Sequence, residues 1–187
     1  MGRYLIGAGV ALLLAYIGYP YLTIWQLNQA VNAKDEAVLE DLVDWESLEY
    51  GLGQDLEGLF EQPDPASNDP MDELAESLLG IFSDFIIDPI VAFYASPEGL
   101  AYLLNTQVIL DDPGEALEED FPAEDTWYDH IAFAFFQSPV EFQVTVRYPE
   151  TRDKGRSEDE PMVLVFRLQN FKWQLTRVHL PLERIAD

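Results

Sequence analysis

From Tyr4 to Trp25 the chain carries no charged side chain, and only Pro20, Thr23 and the glycines interrupt the apolar run. A membrane span takes about 20 apolar residues at a rise of ~1.5 Å each, so the run is long enough to cross a bilayer. It is longer than the apolar core of a signal peptide, about 7 to 15 residues. The bulky series Tyr16-Ile17-Gly18-Tyr19-Pro20-Tyr21 also lacks the small residues that a signal peptidase needs. Residues 1–25 therefore read as a retained transmembrane anchor, with a cleaved signal and a buried core helix as the alternatives. Tyr19, Tyr21 and Trp25, with Tyr16 before them, read as an aromatic belt at the membrane interface. Arg3 is the only charge ahead of the run, which places the N-terminus in the cytoplasm and the remainder on the far side.

After the anchor the apolar positions keep a helical period. Ile24, Leu27, Ala30 and Val31 carry the first helix on to about Ala33. Asp35 caps a second helix with Val38, Leu39, Leu42 and Val43 on its apolar side. Asp44 caps a third, with Leu48, Leu52, Leu56 and Phe60 four residues apart. Residues 61–70 are a loop by composition, and a helix is expected over about 70–87. Asp88–Pro89 and Ser96–Pro97 are further start signals, the latter for a short helix through Leu104.

From Ile131 the period shortens to two. Val140, Phe142, Val144, Val146 and Tyr148 alternate with Glu141, Gln143, Thr145 and Arg147, which predicts a half-buried strand. Met162, Leu164, Phe166 and Leu168 predict a second, and residues 171–180 a third, with a phase break between Leu175 and Val178 that marks a bulge. Ile131, Phe133 and Phe135 start a further strand. Consecutive strands without an intervening helix pair antiparallel. The expectation is an α+β chain: a transmembrane helix, then several helices packed on a three- to four-stranded meander, with residues 26–187 forming one soluble domain.

Charge sharpens this picture. The net charge is −25. Between Lys34 and Arg147 there is no basic residue but there are 28 acidic ones, whereas residues 147–187 hold eight basic and seven acidic side chains. Such a surface repels nucleic acid and anionic headgroups, so no nucleic-acid partner is expected. The acidic loop at 111–125 lacks the ligand spacing of a calcium site. The absence of cysteine excludes disulfides and thiolate chemistry. No phosphate-binding glycine loop, nucleophile elbow or paired-histidine motif occurs, so neither a cofactor nor a metal is expected. An enzyme with a dispersed acid–base or metal site at His130 or His179 is the alternative to a non-catalytic protein. Phe142, Phe166 and Trp173, with Phe133 and Phe135, read as one sheet face, which is core packing first and, as the alternative, a face on which the first three wall an apolar ligand pocket. Arg147, Arg167 and Arg177, one per strand, read as a basic stripe on the opposite face that pairs with the chain's own acidic helices, with anion binding as the alternative.

Three patterns, residues 19–45 (YPYLTIWQLNQAVNAKDEAVLEDLVDW), 96–104 (SPEGLAYLL) and 163–181 (VLVFRLQNFKWQLTRVHLP), stand in order behind the apolar run. Together they resemble the bacterial domain-of-unknown-function family numbered twenty-nine thirty-nine, over most of Pro20 to Pro181. The order of helices then meander also resembles, at the level of fold alone, the cone-shaped nuclear-transport-factor-like folds. The family resemblance implies a proteobacterial envelope protein on one N-terminal helix, with no activity to carry over. The resulting expectation is a single-pass inner-membrane protein with a periplasmic domain. Its partners would be the lipid bilayer and, as an adaptor or binding domain, an envelope protein or a small apolar ligand.

Overall fold

The computed structural model describes residues 2–60, 88–106, 126–147 and 161–179. The expected loop at 61–70, the helix over 70–87 and the acidic segment at 111–125 lie outside these residues, as do Tyr148 and almost all of the polar loop that follows it.

Helix α1 runs Gly2–Ala33 without a break. It ends where Lys34 adopts a left-handed φ of 52° and the Asp35 amide donates back to the Ala30 carbonyl at 2.9 Å, a six-to-one closure that satisfies an orphan carbonyl. Asp35 then caps α2, Glu36–Leu42, by accepting from the Val38 amide. Val43 leaves the helix and forms a parallel bridge to Leu175. Asp44 follows as the cap of α3, Trp45–Phe60. Leu48, Leu52 and Leu56 are buried on one face of α3, as their four-residue spacing requires.

Residues 88–94 are helical (α4), and α5 spans Pro97–Thr106. The Ser96 hydroxyl accepts from the Gly99 amide at 3.2 Å. A Cβ at Gly99 would lie 2.0 Å from the Phe93 carbonyl oxygen, so only glycine lets α4 and α5 approach this closely. A short 3-10 helix, Trp127–His130, leads into the sheet.

Four strands, β1 Ile131–Ser138, β2 Glu141–Val146, β3 Met162–Gln169 and β4 Lys172–His179, form an antiparallel meander in sequence order. The α+β expectation is met. The bulge lies at Thr176: Val165 pairs with Arg177 and Phe166 with Leu175, and the spare Thr176 hydroxyl donates to the Val165 carbonyl at 3.2 Å.

The helices cover one sheet face. Phe142, Val144, Val146, Met162, Leu164, Phe166, Trp173, Leu175 and Val178 are buried there. Phe133 and Phe135 do not join them. They pair with Thr145 and Gln143, on the other face, and remain 56% and 55% exposed. The β1–β2 register instead sets Phe136 opposite Phe142, because a strand alternates strictly and the hairpin fixes its phase. Val140 and Phe171, expected inside strands, stand in the two hairpin turns.

Candidate functional site

The site of interest is the junction of α1 with the sheet. Every described side chain from Arg3 to Ala15 is exposed. At Tyr16 the environment changes. Its ring stacks on Phe136 at 5.9 Å and lies 6.4 Å from Trp173. Tyr21 sets its ring edge-on to Phe142 at 5.0 Å and donates its hydroxyl to the Ala134 carbonyl at 3.1 Å. Thr23, Ile24, Leu27, Asn28, Ala30 and Val31 are then buried. The aromatic rings of Tyr16, Tyr21, Phe136, Phe142 and Trp173 thus form one cluster at offset and edge-to-face distances, each such pair contributing about 0.5–1.5 kcal/mol beyond burial.

The direction of α1 follows from these contacts. Tyr16 meets Phe136 near the end of β1 and Trp173 near the start of β4. Farther along, α1 touches the 3-10 helix that precedes β1. The helix therefore enters over the hairpin-turn end of the sheet and runs toward the opposite end. Its exposed N-terminal half projects beyond the turns Pro139–Val140 and Asn170–Phe171. Those turns are neighbours: β1 and β3 both run toward this end, and the Leu168 amide donates to the Val140 carbonyl at 2.9 Å.

Of the residues expected at a membrane interface, Tyr19 and Trp25 keep exposed faces and Tyr21 is shared between solvent and sheet. Phe142, Phe166 and Trp173 are at most 1% exposed; Phe142 and Trp173 lie under α1. The Trp173 indole N–H is buried with no hydrogen-bond partner among the described residues.

The sheet edge at β4 is held by charged and polar contacts to α2 and α3. Lys172 pairs with Asp41 at 2.9 Å, and the Gln174 amide donates to the Asp41 carbonyl. Lys172 is pushed above its ordinary pKa by the Asp41 hydrogen bond first and the Asp41 charge second, with a further contribution from nearby Tyr19. Asp44 accepts from the Ser47 hydroxyl at 2.7 Å, the Ser47 amide at 3.2 Å and the Gln169 amide at 3.0 Å. Burial opposes its charge, yet these donors outweigh burial and hold the carboxyl below its ordinary range.

Arg177 pairs with Asp55 of α3, and His179 Nδ1 lies 3.3 Å from the same carboxylate. Arg167 pairs instead with Glu141 on the adjoining strand, and Arg147 is exposed. The three arginines thus do not form one stripe against the acidic helices: among the described residues only Arg177 pairs with one. His130 and His179 lie at the same end of the sheet but three strand steps apart, about 14 Å at ~4.8 Å per step. They cannot ligate one ion. Among the described residues no group of three histidine or carboxylate side chains is placed to hold a metal.

These observations meet the comparison with known families at the helix. The chain belongs to the family described as Protein of unknown function (DUF2939). The match covers residues 10–103, from the exposed half of α1 nearly to the end of α5. It contains the pattern at 19–45 and nearly all of 96–104, and leaves 163–181 outside. No curated protein and no solved structure matches the chain. The family's description assigns no activity, so any function must be argued from the junction itself. The local sequence at this junction points to membrane-belt tyrosines, whereas Tyr16 in particular faces the core.

Proposed function

We propose that this protein is a single-pass envelope protein of the inner membrane, with its N-terminus in the cytoplasm and its α+β domain in the periplasm. It acts as a non-catalytic adaptor that holds a protein or small apolar ligand beside the bilayer. One observation carries the reading: α1 is apolar and exposed up to Ala15 and from Tyr16 onward packs one face into the domain core with no linker between. A cleavable leader would be dispensable to the fold. Here cleavage after the tyrosine cluster would strip Tyr16 and Tyr21 from Phe136, Phe142 and Trp173. A helix with one half in lipid and one half in the core tethers the domain rigidly, which suits presentation and positioning.

The exposed pair Phe133 and Phe135 is the surface for a protein partner, since aromatic side chains anchor interfaces. Phe142, Phe166 and Trp173 would be reached by a small ligand only if the core opened over them; a carbonyl-bearing apolar ligand would then satisfy the Trp173 indole.

The chain has no cysteine, so Tyr50→Cys on exposed α3 supplies a unique thiol. In intact spheroplasts an impermeant maleimide is expected to label it, on a chain whose mass retains the N-terminal segment. Labelling only after lysis would sink the topology, and a mature chain starting beyond Tyr21 would sink the anchor.

A further inference from the structure

We propose that the two hairpin turns, Pro139–Val140 and Asn170–Phe171, form a foot that rests in the headgroup–acyl boundary of the bilayer. The proposal rests on the membrane-anchor reading above, and three observations that this reading does not use converge on it.

The first is length. The free part of α1, Gly2–Ala15, spans only ~21 Å at ~1.5 Å per residue, against a hydrocarbon core of about 30 Å. With so short a free span Tyr16 stands no higher than the hydrocarbon boundary, and the end of the sheet beside it descends into the interface.

The second is what stands at that end. The strands continue one to two residues past Trp173 and Phe136, which mark the level of Tyr16, and the turns stand two to three residues past them, about 7–10 Å at ~3.3 Å per residue. Their tips expose Val140 (54%) and Phe171 (92%). Amphipathic elements bury about 5–10 Å into the same boundary, so reach and depth agree.

The third is strain. Asn170 and Phe171 have φ of 49° and 63°. Asparagine tolerates the left-handed region, whereas a bulky aromatic residue is disfavoured there. A phenylalanine that is both strained and nearly fully in water contributes nothing to the fold. It is accounted for if its ring is solvated by lipid.

Charge selects the kind of lipid. The cations beside the turns, Arg167 and Lys172, are neutralised by Glu141 and Asp41. The contact is therefore apolar, and it does not require anionic headgroups.

The test uses the full chain in phosphatidylcholine vesicles, with single cysteines at Val140, Phe171, Ile6 and Ala132. Each carries an environment-sensitive fluorophore, and the vesicles are made with and without nitroxide-labelled lipid. Ala132 is exposed at the far end of β1 and serves as the reference that stays clear of lipid. Ile6 is exposed and stands ten residues, ~15 Å, from Tyr16. Positions 140 and 171 are expected to be blue-shifted and quenched by a shallow nitroxide, position 6 by a deep one, and position 132 by neither. Quenching at 6 with 140 and 171 as wet as 132 would overturn the foot while leaving the anchor standing. Absence of quenching at 6 would overturn both. A blue shift at 171 without lipid quenching would mean that protein, such as a second copy, covers the turn, and this too overturns the proposal.

Discussion

Residues Gly2–Ala15 and Tyr16–Ala33 belong to one unbroken helix, and up to Trp25 one uncharged run crosses their boundary, yet they live in different surroundings. In the first half Val10, Leu12, Leu13 and Leu14 all stand exposed; in the second, Ile24, Leu27 and Val31 are buried almost completely. Apolarity alone says that a side chain avoids water. It does not say whether lipid or protein replaces the water. What separates the halves is a partner surface: the aromatic cluster of the sheet begins at Tyr16 and is absent before it.

The contrast breaks most easily at its two leucines. Leu27→Ala should cost about 2–5 kcal/mol of domain stability, as a fully buried leucine loses both transfer energy and packing, whereas Leu13→Ala should change it by less than about 0.5 kcal/mol. Denaturant unfolding of the full chain in micelles reads both, and equal effects would dissolve the distinction.

Leu13→Arg turns the comparison round. Near the centre of the apolar run a charge costs about 2.5–3.5 kcal/mol of insertion. The variant should leave the membrane fraction while keeping the near-ultraviolet dichroism of its packed tryptophans. Loss of both signals together would show that the first half supports the fold.

A smaller effect sharpens the second half by way of its attachment to β4. Asp44 caps α3 and receives Gln169, so Asp44→Ala should cost roughly 0.5–2 kcal/mol. Its folded pKa is depressed, so its contribution is present above the unfolded value of about 3.9 and is lost as pH falls through the lower folded value. Asp44→Asn keeps a competent cap and should flatten stability against pH in that acid window. An unchanged acid profile would assign the sensitivity to other carboxylates.

The smallest change concerns the membrane side. Phe171→Gly relieves about 1–2 kcal/mol of left-handed strain against about 0.5–1 kcal/mol of added chain entropy. The variant should be more stable than the parent by about 0.5–1 kcal/mol in thermal melts. A loss of stability would mean that the Phe171 ring packs within the fold.

Local chemistry made much of the architecture legible. Asp35, Asp44 and Ser96 announce helix starts because a short polar side chain before an apolar helical period satisfies a free amide. The two-residue alternation was clear from Phe142 to Val146, and the phase break after Leu175 located the bulge to within a residue. The turns were less clear. Val140 and Phe171 continue the alternation by hydrophobicity, and only the pairing of β1 with β2 and of β3 with β4 removes them from the strands. The candidate site was the least legible part. Tyr16 looks like its neighbours in an aromatic belt, and nothing in its local sequence says that a sheet about 120 residues later will cover it.

By itself, then, the sequence determined an apolar N-terminal helix, the order of helices before an antiparallel meander and the helix caps, since each depends on neighbours within a few residues. Only the tertiary structure decided where along α1 the protein interior begins, that Phe136 and not Phe133 or Phe135 faces that helix, that His130 and His179 stand apart, and that both hairpin turns flank the exit of the exposed half. Those facts depend on strand register and on contacts between residues more than a hundred positions apart, and no local pattern of side chains encodes such distances.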